Sequence, residues 1–165
     1  MDYHQVLPEV FVGSCPAGPQ DVDWLQQELG VTAVLSLQSD DDHARMALDW
    51  DKLERHCRRA KVALRRVPVQ DFDQQDLRKH LPNCVRALNQ LLRAGHTVYV
   101  HCTAGVNRSP SVLITYLHWI QQWDLERAVR HVLKCHPCSP DLEAIRLADA
   151  DFFAEPADRE NRQAE

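Results

Sequence analysis

The sequence lacks any apolar run long enough to cross a bilayer, and it has no N-terminal apolar segment of the kind that directs secretion. It also lacks an excess of positive charge, since 24 acidic residues outnumber 19 lysines and arginines and give a formal net charge of −5. Proteins that bind nucleic acids or anionic membranes have the opposite balance. We therefore expect a soluble, cytoplasmic protein with no nucleic-acid partner and no membrane partner, in which any cationic site is local.

Glycine is also scarce, with 5 residues in 165, and the sequence contains no low-complexity runs. This composition argues against disorder over most of the chain. Hydrophobic residues make up 44% of the sequence, which is enough for one core in a chain of this length. We predict a single domain over residues 1–155, followed by a charged, disordered tail over residues 156–165.

The six cysteines do not have the regular spacing of a disulfide framework, which indicates reduced thiols. Cys135 and Cys138 flank His136 and Pro137, a spacing that also occurs in zinc and dithiol sites. A structural zinc site would need a second pair, and His131 is the nearest candidate. We favour a structural interpretation, in which Cys135 ends a helix and Cys138 lies in the following turn, and we expect no metal.

Short apolar segments alternate with amphipathic segments of helical period. Strands are predicted at residues 10–12, 31–37, 63–67 and 97–100. Helices are predicted at residues 21–29, 49–60, 77–93 and 109–122, and two more begin at residues 124 and 139. This order predicts an α/β fold, a sandwich in which helices flank a small, mainly parallel central sheet.

The most informative segment runs from His101 to Ser109, between the last predicted strand and a helix that begins near Pro110. A short loop of small residues in this place can turn its backbone N–H groups inward as an anion-binding nest, with the positive end of the helix dipole behind it. We predict that this loop binds phosphate. The predicted contacts come from Thr103, Ala104, Gly105, Val106 and Asn107.

The same loop contains a cysteine, five residues and an arginine, which predicts catalysis as well as binding. The field of the helix favours the thiolate form of Cys102, and Arg108 can hold two phosphate oxygens in its planar fork. Attack by Cys102 on phosphorus would give a phosphocysteine and divide a slow hydrolysis into two easier steps. Ser109 can donate to the sulfur as it leaves, and no cofactor is required because Arg108 supplies the cation. The alternative is a cysteine that only fills the core, but the combination of strand, glycine, arginine, hydroxyl and helix favours a site.

A leaving alkoxide needs a proton, so an acid should lie on a loop that faces this site. Asp71 is the preferred candidate because it follows a predicted strand and precedes a helix. Asp73 and Asp76 are alternatives, although each could instead cap the helix. His101 could orient the loop or have a purely structural role. The three acids at residues 40–42 are interpreted as a solvated loop or a helix start.

Several motifs are similar to those of the dual-specificity group of cysteine-dependent phosphatases, whose signature is His-Cys, five residues, Arg and Ser or Thr. The similarity covers about residues 3–153. It includes residues 7–14, 71–73, 76–78, 81–82, 99–105, 116–119 and 138–148. Within the group, the chain most resembles the plant glucan phosphatases of the starch-excess type, which are related in activity to laforin.

This resemblance implies a protein-tyrosine-phosphatase-like fold and a phosphorylated α-glucan as the substrate. By position, it assigns the nucleophile to Cys102, the phosphate-binding arginine to Arg108 and the general acid to Asp71, and it places Phe72 in the glucan channel. Asn107 stands where the glucan-phosphatase signature has glycine. Arg45 and Met46 stand where aromatic residues are expected.

The same catalytic residues would also serve a dual-specificity protein phosphatase that acts on phosphotyrosine and on phosphoserine or phosphothreonine. The substrate partner is therefore a phosphorylated polysaccharide or a phosphoprotein, and the likeness outside the loop favours the polysaccharide. A non-enzymatic scaffold that only binds phosphate is less favoured, because the nucleophile, the arginine and the acid are all present.

Overall fold

A computed structural model describes residues 1–154, so the predicted tail over residues 156–165 lies outside the described residues. The strands are β1 (Tyr3–Leu7), β2 (Val10–Gly13), β3 (Ala33–Ser36), β4 (Ala63–Arg66) and β5 (Val98–His101). The helices are α1 (Pro19–Leu29), α2 (Asp40–Met46), α3 (Trp50–Ala60), α4 (Gln74–Arg93), α5 (Arg108–Trp119), α6 (Leu125–Cys135) and α7 (Leu142–Ala154). Within residues 1–154, none of these helices has both the length and the apolar character needed to cross a membrane.

The five strands form one sheet in the order β1-β2-β5-β3-β4. Strands β2, β5, β3 and β4 are parallel to their neighbours, and only β1 pairs in the antiparallel direction, with β2. The prediction of a small, mainly parallel sheet flanked by helices is therefore confirmed. Strand β4 lies at one end of the sheet, where Arg65 is exposed.

Helices cover both faces of the sheet, because alternate residues of each buried strand point to opposite sides. In β5, Val98 and Val100 belong to a large core that includes buried residues of α4, α5, α6 and α7. Tyr99 belongs to a smaller core with buried residues of α1 and α3. The central strands are apolar on nearly every residue because they are buried on both faces.

One strand and one acidic side chain differ from the sequence prediction. Strand β1 is not predicted, because its residues mix polar and apolar types and only Val6 is fully buried, as is usual at the edge of a sheet. The acidic segment at residues 40–42 begins helix α2, one of the two structures expected for it. The expectation that these acids face solvent is wrong for Asp42, whose side chain is buried and only 1% exposed.

The parallel strands place the functional candidates together. Strands β2, β3, β4 and β5 all end at the same edge of the sheet, where ligands bind in open α/β folds. The loop after β5 carries Cys102, the segment after β3 leads into α2, and the segment after β4 carries Asp71. Three loops distant in sequence therefore meet at one place.

Candidate active site

The predicted phosphate loop connects the end of β5 to the start of α5. Helix α5 begins at Arg108, and both Cys102 and Arg108 are 2% exposed. The hydroxyl of Ser109 donates a hydrogen bond to the sulfur of Cys102 across 3.4 Å. The structure thus brings together the predicted nucleophile, the predicted anion-binding arginine and the hydroxyl expected to stabilise the sulfur.

The carbonyl groups of this loop have donors from outside it. The ring of His101 donates from Nδ1 to the carbonyl of Cys102 at 2.8 Å, and the N–H of Cys15 donates to the carbonyl of Thr103 at 3.0 Å. The N–H of Ser139 donates to the carbonyl of Val106 at 2.8 Å. Because the carbonyls are bound by the surrounding protein, the loop N–H groups are free to turn toward an anion, as a nest requires.

The guanidinium of Arg108 is held by several oxygens. Its Nη1 donates to Oδ2 of Asp42 at 2.6 Å and to the carbonyl of Val69 at 2.8 Å, and its Nη2 donates to the hydroxyl of Thr103 at 3.3 Å. Its Nε lies 3.1 Å from Oδ1 of Asp71, close enough for an ion pair, but it makes no hydrogen bond within the described residues. The two observations agree if the N–H is not aimed at that carboxylate, which leaves a buried donor available to a ligand.

Asp42 is a residue that the sequence analysis did not assign to the site. Its carboxylate accepts hydrogen bonds from Arg108, from the N–H of Ser39 and from the exposed Arg45. Burial alone would raise the pKa of Asp42, but the hydrogen bond from Arg108 and the bonds from Ser39 hold that pKa well below its ordinary value. The carboxylate therefore stays charged beside Arg108. The capping pattern of Ser39 followed by an acid at the third position was the available sequence signal.

The pKa values of the two basic groups of the site shift in opposite directions. For Arg108, burial alone would lower the pKa, but the hydrogen bond to Asp42 and the nearby negative charges raise it above its ordinary value. For His101, burial lowers the pKa to about 4, although the bond to the Cys102 carbonyl opposes this shift. The arginine is thus permanently charged, whereas the histidine is neutral at physiological pH.

The acid loop separates Asp71 from its alternatives. Asp73 accepts a hydrogen bond from the N–H of Asp76 and caps α4, and Asp76 accepts one from the N–H of Gln70 at 2.7 Å. Asp71 has neither task, and its carboxylate is the one beside Arg108. Its neighbour Phe72 is 96% exposed and has a φ of 58°, which is rare for an aromatic residue.

A cavity of about 260 Å³ lies beside the phosphate loop. Asp71, Phe72, Asn107, Arg108 and Asp141 contribute to its lining, but Cys102 does not. The cavity therefore adjoins the predicted phosphate loop and shares Asn107 and Arg108 with it.

The remaining predicted contacts lie around the same loop. Ala104 and Val106 are exposed, and Gly105 is buried with a φ of 76°. A Cβ on Gly105 would come within 2.4 Å of the carbonyl carbon of Gly13, so only glycine fits there. The side chain of Asn107 donates to the carbonyl of Ser139 at 2.9 Å.

We expect Asp42→Asn to lower the free energy of unfolding by about 3 kcal/mol, because it removes the main charge partner of a buried guanidinium. Urea denaturation of the two proteins measures the difference. Asp41→Asn is the matched control, since Asp41 is exposed and accepts a hydrogen bond from the side chain of Gln70 and not from Arg108 within residues 1–154. A similar loss in both variants would show that the buried pair has no special weight.

Comparison with known proteins finds one matching family and several similar sequences. The family model described as dual specificity phosphatase, catalytic domain, matches residues 10–145. The chloroplastic phosphoglucan phosphatase LSF1 of Arabidopsis thaliana is 37% identical over 93% of this chain and 26% of its own length. Laforin of Mus musculus is 31% identical over 92% of this chain and 49% of its own length.

Solved structures show the same fold. The crystal structure of Tk-PTP in its active form superposes with a TM-score of 0.72 and 19% identity, covering 90% of this chain and 94% of that one. The chain spans only about a quarter to a half of the length of the two curated relatives. The match of the family model to most of the described residues nevertheless shows that this chain belongs to the dual specificity phosphatase family.

Proposed function

We propose that this domain is a cysteine phosphatase that removes phosphate from phosphorylated α-glucan through a phosphocysteine intermediate. The observation that carries the proposal is the arrangement of Cys102, Ser109, Arg108 and Asp71 at one edge of the sheet. The loop N–H groups and Arg108 would bind the three non-bridging oxygens of the phosphate and stabilise them as charge redistributes. Arg108 serves as the cation of the site.

The first step forms the bond between the Cys102 sulfur and phosphorus while the bond from phosphorus to the sugar oxygen breaks. Asp71, in its acid form, transfers its proton to that oxygen, so the sugar leaves as an alcohol. In the second step a water molecule attacks phosphorus and gives a proton to the Asp71 carboxylate. The bond from phosphorus to sulfur breaks, inorganic phosphate is released, and the hydroxyl of Ser109 stabilises the thiolate.

The proposal of a glucan substrate is supported by Phe72. An aromatic ring that is 96% exposed beside the catalytic acid offers a face on which a sugar ring can stack. The name of the Arabidopsis relative, a phosphoglucan phosphatase, agrees with such a substrate. A cytoplasmic location stays a prediction from the sequence, and the name of the plant relative places that protein in the chloroplast.

Phosphate release from phosphorylated amylopectin, compared with release from phosphotyrosine peptides, tests the substrate class. We expect faster turnover on the glucan.

We also expect Phe72→Ala to lower kcat/KM on the glucan by about 5- to 10-fold, the worth of one stacking contact, and to leave the rate on p-nitrophenyl phosphate nearly unchanged.

Leu133→Ala is the control for this prediction, because Leu133 is also an exposed apolar side chain, at 44%, but lies on α6. It should change neither rate. Equal or faster turnover on the peptides, together with no binding to the glucan, would assign the domain to the alternative class of dual-specificity protein phosphatases.

A further inference from the structure

The segment after α6, residues 136–139, is attached to the far half of the phosphate loop, and we call this segment the brace. It includes His136, which lies between Cys135 and Cys138 in the sequence. The sequence alone predicts no role for this histidine. Within residues 1–154 the side chains contain no group of three or more potential ligands that could hold a metal ion. The described residues around Cys135 and Cys138 therefore do not form a metal site, and this segment is characterised by its hydrogen bonds to the phosphate loop.

His136 is 1% exposed, and its ring contacts Gly105 in the middle of the phosphate loop. Its Nε2 lies 2.8 Å from the carbonyl oxygen of Gly105. A carbonyl oxygen can only accept, so Nε2 carries a hydrogen and donates it. This carbonyl has to point away from the anion if the neighbouring N–H groups are to face it, and His136 is the donor that satisfies it in that orientation.

The rest of the brace bonds the next two loop residues. The N–H of Ser139 donates to the carbonyl of Val106 at 2.8 Å, and the side chain of Asn107 donates to the carbonyl of Ser139 at 2.9 Å. Three consecutive loop residues are thus held by one segment. Of these three bonds, only the one from His136 is donated by a side chain of the brace.

A second histidine forms a hydrogen bond with the ring of the first. The Nδ1 atoms of His136 and His4 are 2.8 Å apart, and His4 lies on β1. When both rings are neutral, the hydrogen on Nε2 of His136 leaves its Nδ1 as an acceptor, so Nδ1 of His4 must be the donor. A hydrogen bond from His4 on β1 thus stabilises the neutral form of His136 that donates to Gly105.

We propose that His136 is a positioning residue of the phosphate loop, which holds the Gly105 carbonyl outward so that the loop N–H groups face the bound oxyanion, with His4 fixing its tautomer. This inference rests on the proposed function, because it concerns the same site. It requires that loss of the Nε2 donor weakens oxyanion binding and slows turnover beyond any effect on folding.

The test compares His136→Asn with His136→Gln. Glutamine places an amide N–H near the position of Nε2, whereas asparagine reaches only near that of Nδ1. We expect His136→Asn to weaken binding of inorganic phosphate by about tenfold, the loss of one buried hydrogen bond, and to lower kcat/KM on p-nitrophenyl phosphate. We expect His136→Gln to restore both to within about threefold of the unaltered protein.

His131→Asn is the matched control, because Nε2 of His131 makes a bond of the same length, 2.8 Å, to the carbonyl of Val6 instead of to the phosphate loop. It should lower Tm without changing phosphate binding. If His136→Asn behaves like this control, or if His136→Gln is as impaired as His136→Asn, the proposal is wrong.

His4→Phe supplies a measurement that does not depend on the folding of the His136 variants. It removes the donor to Nδ1 and leaves His136 in place, so a smaller loss of phosphate affinity is expected, and no loss would contradict the role given to His4. The unaltered protein is measured first. If it neither binds phosphate nor hydrolyses p-nitrophenyl phosphate, the proposed function is wrong. If it does both and the His136 variants bind phosphate and turn over equally well, only the role proposed for His136 is wrong.

Discussion

Cys102→Ser is expected to abolish phosphate release while the protein still binds inorganic phosphate. A serine hydroxyl at this position stays protonated at neutral pH and is a poor nucleophile, so the covalent step cannot proceed. The loop N–H groups and Arg108 are unchanged by the substitution, and the oxyanion site therefore persists. Steady-state rates on p-nitrophenyl phosphate and calorimetric titration with phosphate measure the two properties separately.

Cys57→Ser is the control for this variant. Cys57 is buried in α3 on the opposite face of the sheet, and burial raises its pKa to about 11, so it stays a thiol and takes no part in the reaction. It should retain full turnover. Turnover by Cys102→Ser at the rate of the unaltered protein would end the proposed mechanism.

Asp71→Ala is expected to lower kcat/KM by about 10²- to 10⁴-fold on an alkyl phosphate such as a sugar ester, which is the usual contribution of general acid catalysis. The reduction in kcat/KM should be much smaller on p-nitrophenyl phosphate, because kcat/KM reports formation of the phosphocysteine and the leaving group of this ester departs without a proton. The ratio of the two losses measures proton donation separately from binding.

Asp73→Ala distinguishes the acid from its neighbour on the same loop. Asp73 caps α4, so this variant should lose about 1 kcal/mol of stability and keep its rates on both esters. An equal fall on both esters for Asp71→Ala would assign Asp71 to substrate binding. A larger fall for Asp73→Ala would move the acid role to that residue.

The fold could be predicted from the sequence because its main signals are local. The apolar strands, the capping residues and the strand-loop-helix order around Cys102 each depend on a few neighbouring residues. Strand β1 escaped prediction because an edge strand buries few residues. The segment that ends at Leu7 is recognisable only once β2 is beside it.

The site could be predicted only in part, for a related reason. Cys102, Arg108 and Ser109 lie within one loop, so their spacing alone brings them together. The partners of that loop come from far along the chain, with Asp42 66 residues from Arg108 and His136 31 residues from Gly105. The capping pattern of Ser39 and Asp42 indicates a helix start, but a single sequence has no signal for the pairing of Asp42 with Arg108.

The end of the sheet formed by β4 has a consequence for how copies of the protein behave toward one another. Strand β4 has only four residues, Pro68 follows it closely, and Arg65 projects into solvent from it. A second molecule adding its own β4 there would bring two arginine side chains together and would meet a proline that cannot donate a backbone hydrogen bond. Strand β4 thus discourages edge-to-edge aggregation at this end of the sheet in concentrated solution.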